Sequence, residues 1–157
     1  MKTIKLNLTP AEKLRLKKAG VKINELGNYA VDELGALLDV SEGRAQAIGA
    51  HLIFQSLPSI GPRFAQNLID MGYFNLEQLK HKDGAELLNE HERFVGYQTD
   101  PCVEDQFRLI VHYANNPGVI KQWWDFTPER KVFRAKYGYP ETRPGVVWHV
   151  HEKYQHT

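Results

Sequence analysis

Apolar residues return every three or four positions through most of this chain, and each run opens at a polar cap. Thr9-Pro10-Ala11-Glu12 sets a hydroxyl at the N-cap, proline at the first helical position and glutamate where a capping box needs it. Asp83 with Glu86, and Asn75 with Gln78, repeat that spacing. Ser41, Asp100 and Thr127 read as further N-caps, the last two followed by Pro101 and Pro128. Val103, Phe107, Ile110, Val111 and Ala114 share one helical face, with Glu104, Asp105, Arg108 and His112 mostly off it. Leu87, Leu88, His91, Phe94 and Val95 do the same in the helix before. Through residue 116 no segment alternates as a strand does. The fold class predicted is therefore mainly all-α.

Beyond Asn115-Asn116-Pro117-Gly118 the chain turns aromatic and basic. A helix is predicted from Thr127 to Tyr137. Val146 to His151 alternates apolar and polar, which predicts a short strand. The division expected is a helical domain over 1–116 and a C-terminal extension over 117–157 that packs on it through its aromatic side chains.

A repeat lies inside the helical part. LLDVSEGRAQAI (37–48) aligns with LPSIGPRFAQNL (57–68) at a constant offset of 20 residues. Leu37 matches Leu57, Val40 matches Ile60, and Ala45-Gln46 matches Ala65-Gln66. Around them, residues 19–26 parallel 71–79 and residues 32–34 parallel 85–87, so two pseudo-symmetric halves are expected.

The second member of this pair carries the chemistry. Gly61 is read as the residue that supplies a positive φ to a tight turn, and Pro62 as the first residue of the next helix. Leu57, Ile60, Ala65 and Leu68 lock the two helices together. Such a turn presents backbone N–H groups of a helix N-terminus to a phosphate oxygen. Ser59, Ile60 and Gly61 are the candidate contacts, and Arg63 adds charge. The first member has Ser41 and Glu42 where Gly61 and Pro62 stand, and an acid at a helix start repels phosphate. The first turn is read as structural.

Charge qualifies this picture. The net charge is +1, but residues 56–116 hold 5 basic and 9 acidic side chains, against 7 and 4 in residues 117–157. An acidic surround weighs against strong nonspecific binding to DNA. Cys102 is the single cysteine, so no internal disulfide forms and a reducing, cytoplasmic setting is expected. No apolar run approaches a membrane span. Other features have plainer meanings beside the functional ones. Lys13, Arg15, Lys17 and Lys18 form a basic run that reads as a solvated face sooner than a phosphate contact. Cys102 near a helix start could be a reactive thiol but reads as an inert one. Trp123-Trp124 could stack bases but reads as packing. His149 and His151 have a chelating spacing without further ligands, so no side-chain metal site is expected. Asp83 and Asp100 read as helix caps, and no catalytic constellation is found.

The stretch LPSIGPRFAQNL resembles the helix-hairpin-helix motif, with Ser59 where the first glycine of the usual Gly-x-Gly turn would stand. Over residues 55–116, with DPCVEDQFRLIVHYA at Asp100 to Ala114, the chain resembles the pathogenicity-locus family of small bacterial proteins. With the repeat, the fold expected is a tandem helix-hairpin-helix one; the resemblance implies that it grips nucleic-acid backbone, DNA being the expected partner, without reading sequence. It also implies a monovalent cation held by the main-chain carbonyls of Gln55, Leu57 and Ile60, and no other cofactor. Two other functions stay open: a protein-interaction adaptor that keeps the fold without the phosphate contact, and a small lesion-processing enzyme.

Overall fold

A computed structural model of the chain describes residues 2–150, the side chain of Val150 excepted. These residues are mainly helical, as the periodicity requires. Contacts divide the chain into two compact units, Met1–Asn75 and Leu76–Thr157. Both repeat members therefore fall in the first unit. No helix among the described residues is long and apolar enough to cross a membrane.

The first unit runs through helices α1 (Pro10–Ala19), α2 (Val31–Leu38), α3 (Glu42–Gln55) and α4 (Pro62–Asp70), with a 3-10 turn at Ile23–Asn28 before α2. Its core gathers Leu8, Leu16, Leu26, Leu34, Leu38, Ala45, Ile48 and Leu52. The capping box predicted at α1 is formed. Thr9 Oγ1 accepts from the Glu12 N–H at 3.1 Å, and Glu12 Oε1 accepts from the Thr9 N–H at 2.9 Å. Glu12 then turns inward and pairs with Arg44 of α3, whose Nε and Nη2 donate to it at 3.0 and 2.9 Å. The guanidinium holds the Glu12 carboxyl below the usual carboxylate range.

The 20-residue repeat is visible in the backbone. α3 serves both members, closing the first turn and opening the second. Asp39 and Ser59 both sit at positive φ, 55° and 68°. Ser41 and Gly61 are both extended N-caps. Ala45 and Ala65 are both fully buried, as are Ile48 and Leu68.

The second unit contains α5 (Gly84–Val95), α6 (Pro101–Asn115) and α7 (Thr127–Tyr137), with 3-10 turns at Glu77–Leu79, Trp123–Phe126 and Trp148–Val150. Leu87, Leu88, Phe107, Leu109 and Ile110 form its interior. Asp83 caps α5 through the Ala85 N–H at 2.8 Å, and Asp100 caps α6 through the Cys102 N–H at 2.9 Å.

Several expectations need correction here. Asn75 starts no α-helix; the chain makes only the short 3-10 turn at Glu77–Leu79. Thr127 is already helical, and its hydroxyl donates to Asp105 Oδ2 at 2.7 Å instead of capping. Phe94 is exposed, whereas Glu92 beside it is fully buried. The strand expected over Val146 to His151 is absent in its described part. A lone bridge joins Val147 to Gln98, and the chain then curls into the Trp148–Val150 turn, because no second strand continues the pairing. His151 lies outside the described residues.

The largest departure is on α6. Glu104 and Asp105, expected off the apolar face, are completely buried. Arg130 and Arg134 of α7, with Arg108 of α6 itself, cover them. Arg130 Nε lies 2.7 Å from Asp105 Oδ1, Arg134 Nε lies 2.8 Å from Glu104 Oε1, and Arg108 Nη2 lies 2.9 Å from Glu104 Oε2. Arg143 Nε pairs likewise with buried Glu92 at 2.7 Å. The acid excess of residues 56–116 and the basic excess after residue 117 largely answer each other inside this unit.

Candidate nucleic-acid interface

The turn between α3 and α4 is built by its apolar residues. Ile60, Ala65 and Leu68 are fully buried and Phe64 nearly so, which fixes α4 against α3. The Leu57 N–H donates to the Phe54 carbonyl at 3.1 Å, and the Ile60 N–H donates to the Leu57 carbonyl at 3.2 Å. The Ile60 amide, a candidate phosphate contact, is thus engaged within the turn.

Gly61 does not supply the positive φ. Its φ is −96° and ψ 178°, an extended N-cap that any residue adopts. Ser59 takes the left-handed conformation instead, at φ 68°, in the place where the motif usually has its first glycine. A left-handed L-residue costs roughly 1–2 kcal/mol, while glycine loses about 0.5–1 kcal/mol more chain entropy on folding. The first term wins. Ser59→Gly should raise stability by about 0.5–1 kcal/mol in urea unfolding, and a loss would show that the serine hydroxyl holds the turn.

Gly61 is an N-cap without a side chain to close the helix start, and a Cβ placed on it meets nothing within 4 Å. Pro62 follows at the first helical position and Arg63 at the second, with Arg63 exposed. Ser59 and Gly61 are part-exposed beside it. Three of the four candidate contacts therefore reach the surface together, at the positive end of the α4 dipole. The first turn contrasts with this. Ser41 Oγ accepts from the Arg44 N–H at 3.2 Å, Glu42 follows it, and the Arg44 guanidinium is neutralised by Glu12. That turn is closed by its own side chains.

The carbonyls expected to hold a cation do not form one empty ring. Those of Leu57 and Ile60 both accept from the ammonium of Lys2. Gln55 enters through its side chain, which accepts from the Lys5 N–H and donates to the Lys5 carbonyl, both at 2.8 Å. Neither Lys2 nor the Gln55 clamp is legible in the sequence, since main-chain partners 50 or more residues away leave no pattern.

The remaining candidates take plainer roles. Lys13, Arg15, Lys17 and Lys18 are exposed on α1, but Arg15 donates to the Leu37 and Ala36 carbonyls at 3.3 and 3.5 Å and so closes the end of α2. Burial pushes the Cys102 thiol above its ordinary value and the Asp100 charge pushes it further, the opposite of an activated nucleophile. Trp123 is half-buried, Trp124 is exposed, and their rings meet edge to face at 5.4 Å. His149 is exposed beside Trp148. Among the described residues no group of three or more His, Cys, Asp or Glu is placed to hold a metal. A groove of about 1040 Å³, its walls including Ile4, Ile23, Tyr29, Val31, Ile53 and Phe74, opens in the first unit.

Comparison with known proteins gives two findings. Residues 48–132 match the family described as Pathogenicity locus (Cdd1), a span that takes in the second turn and leaves out most of the first. Mitomycin resistance protein McrB of Streptomyces lavendulae is 30% identical over 84 residues, which cover 54% of this chain and 79% of that protein. No solved structure matches the chain.

Proposed function

Because the chain belongs to the pathogenicity-locus family, we propose that it binds nucleic-acid backbone, DNA by preference, through a helix-hairpin-helix turn at residues 57–63, without catalysis and without reading sequence. The observation that carries the proposal is the contrast between its two turns. The first is capped by Ser41 and guarded by Glu42, whereas the second begins at Gly61, has no side-chain cap and sets Arg63 at the surface. A helix start whose N-cap residue brings no side chain leaves room for a phosphate oxygen to approach.

The charge objection weakens once the structure is known. Residues 1–75 carry 9 basic and 7 acidic side chains, a balance of +2. Three of the acids that made residues 56–116 negative, Glu92, Glu104 and Asp105, are buried in the other unit on arginines. The reading keeps the cytoplasm as the setting, in line with the single cysteine. The Streptomyces relative is named for resistance to mitomycin. The groove favours a second reading, an adaptor whose partner inserts an apolar segment there.

Fluorescence anisotropy separates these readings. Labelled duplexes of unrelated sequence should bind with similar affinity, and the affinity should fall as salt rises. Arg63→Ala should weaken all of them alike and reduce the slope of log affinity against log salt by about one. Gly61→Asp is the sharper variant. The added side chain has open space and can cap α4, so melting should hold or rise slightly. Its carboxylate would occupy the phosphate position, so binding should be lost. An adaptor gives negligible affinity at low salt and no response to either change.

A further inference from the structure

The N-terminal segment is fixed beside the second turn by a built set of contacts. Leu8 is buried in the core of the first unit, and Ile4 and Leu6 pack against that core. Gln55, at 1% exposure, pairs its amide with both main-chain groups of Lys5 at 2.8 Å. The same amide donates to His51 Nδ1 at 2.9 Å, His51 Nε2 meets Gln66 Oε1 of α4 at 2.8 Å, and Gln66 donates to Asp70 at 2.8 Å. This chain of bonds is satisfied in full when His51 carries its proton on Nε2. Three residues before the clamp, Lys2 reaches the turn, and its ammonium donates to the carbonyls of Leu57 and Ile60.

Those are two of the three oxygens to which the resemblance assigns a monovalent metal ion. A metal ion and an ammonium cannot share them. The donor set therefore does not fit a metal ion while Lys2 is in place.

We infer that Lys2 is a tethered cation: its ammonium closes the turn in place of a metal ion and offers its remaining N–H to the phosphate bound at Gly61 and Arg63. The phosphate half of this inference rests on the function proposed above; the cation half does not. An ammonium has three donors, of which two go to the carbonyls. Lys2 itself remains exposed, so an anion can reach the third. Partial burial lowers its pKa from the ordinary lysine value, which works against the charged form, so the two carbonyl contacts must offset that loss. Carrying its own cation makes the turn indifferent to which alkali metal surrounds it.

The test uses the full chain and Lys2→Met, which keeps an apolar stem and removes the charge, with Lys2→Gln as a second variant. Each is melted in potassium chloride, sodium chloride and tetramethylammonium chloride at equal ionic strength, and the amide signals of Ile60 and Gly61 are followed as potassium is added. The parent should melt alike in all three salts and show no saturable shift. The variants should melt lower in tetramethylammonium, recover in potassium or sodium, and show saturable shifts at both amides as the metal enters the vacated carbonyls. Binding of a labelled duplex in tetramethylammonium should fall about tenfold in either variant, the effect of one charge-assisted hydrogen bond. Saturable potassium shifts in the parent overturn the inference, as does a variant that loses stability without rescue by either metal, or one that melts like the parent in every salt. If no protein binds duplex while the cation-dependent shifts appear as described, the phosphate reading fails and the tethered cation stands.

Discussion

Asp105→Asn should lower the unfolding free energy of the second unit by about 3–5 kcal/mol, the usual cost of leaving one member of a buried ion pair without its partner. The side chain of Asp105 is fully buried, and that of Arg130 is 11% exposed. Asp105 accepts from Arg130 Nε at 2.7 Å and from the Thr127 hydroxyl at 2.7 Å. Asparagine keeps the shape but removes the charge, and it turns one acceptor into a donor facing other donors. The guanidinium then stays buried without its paired carboxylate, with only the more distant charge of Glu104 acting on it. Replacing both partners by apolar residues, as in Asp105→Leu with Arg130→Met, should recover most of the loss, because the desolvation of both ions disappears together. Urea unfolding measures both variants. A loss below about 1 kcal/mol for the single change would mean that water screens the pair after all.

Gly84→Ala should cost about 1–3 kcal/mol, in the range of overpacking a close contact. A Cβ at Gly84 would lie 2.6 Å from Arg108 Cγ, 2.8 Å from its Cα and 3.0 Å from its backbone nitrogen. Two of those atoms are main chain, so no rotamer change makes room. The start of α5 must move off α6, and the movement disturbs the Arg108–Glu104 pair. Alanine is the better helix former by about 1 kcal/mol, which sets the alternative: a variant as stable as the parent would show that α5 shifts freely. Gly61→Ala, where a Cβ meets nothing within 4 Å, is the matched control and should be near neutral.

These two sites also mark where sequence reading stops. Caps and apolar spacing made the helices legible, since a hydroxyl or carboxylate at the N-cap acts on amides two or three residues away. Thr9, Ser41, Asp83 and Asp100 all cap as their spacing implies. The 20-residue repeat likewise foretold two turns with matching backbone. Periodicity failed at Glu104 and Asp105 because it assigns charge to solvent, and the arginines that bury them come 25 and 30 residues later. The opposite charge excesses before and after residue 117 were the one available hint. At the site, the turn is legible in the sequence but the residue that carries its strain is not. Gly61 drew attention as a glycine, yet it caps the helix in an extended conformation while Ser59 takes the positive φ. Lys2 was invisible for a plainer reason: carbonyl oxygens carry no side-chain signature.

In the function proposed above, phosphate is held at the second turn. The most direct test is a titration of the isotope-labelled protein with a short duplex at low salt, following each backbone amide by NMR. The largest shifts should appear at Ser59, Gly61, Arg63 and Phe64, smaller ones at Lys2, and little change near Ser41 and Glu42 of the first turn. Shifts gathered on Lys13, Lys17 and Lys18 of α1, or along the groove at Ile23, Val31 and Ile53, would contradict it, as would a spectrum that the duplex leaves unchanged.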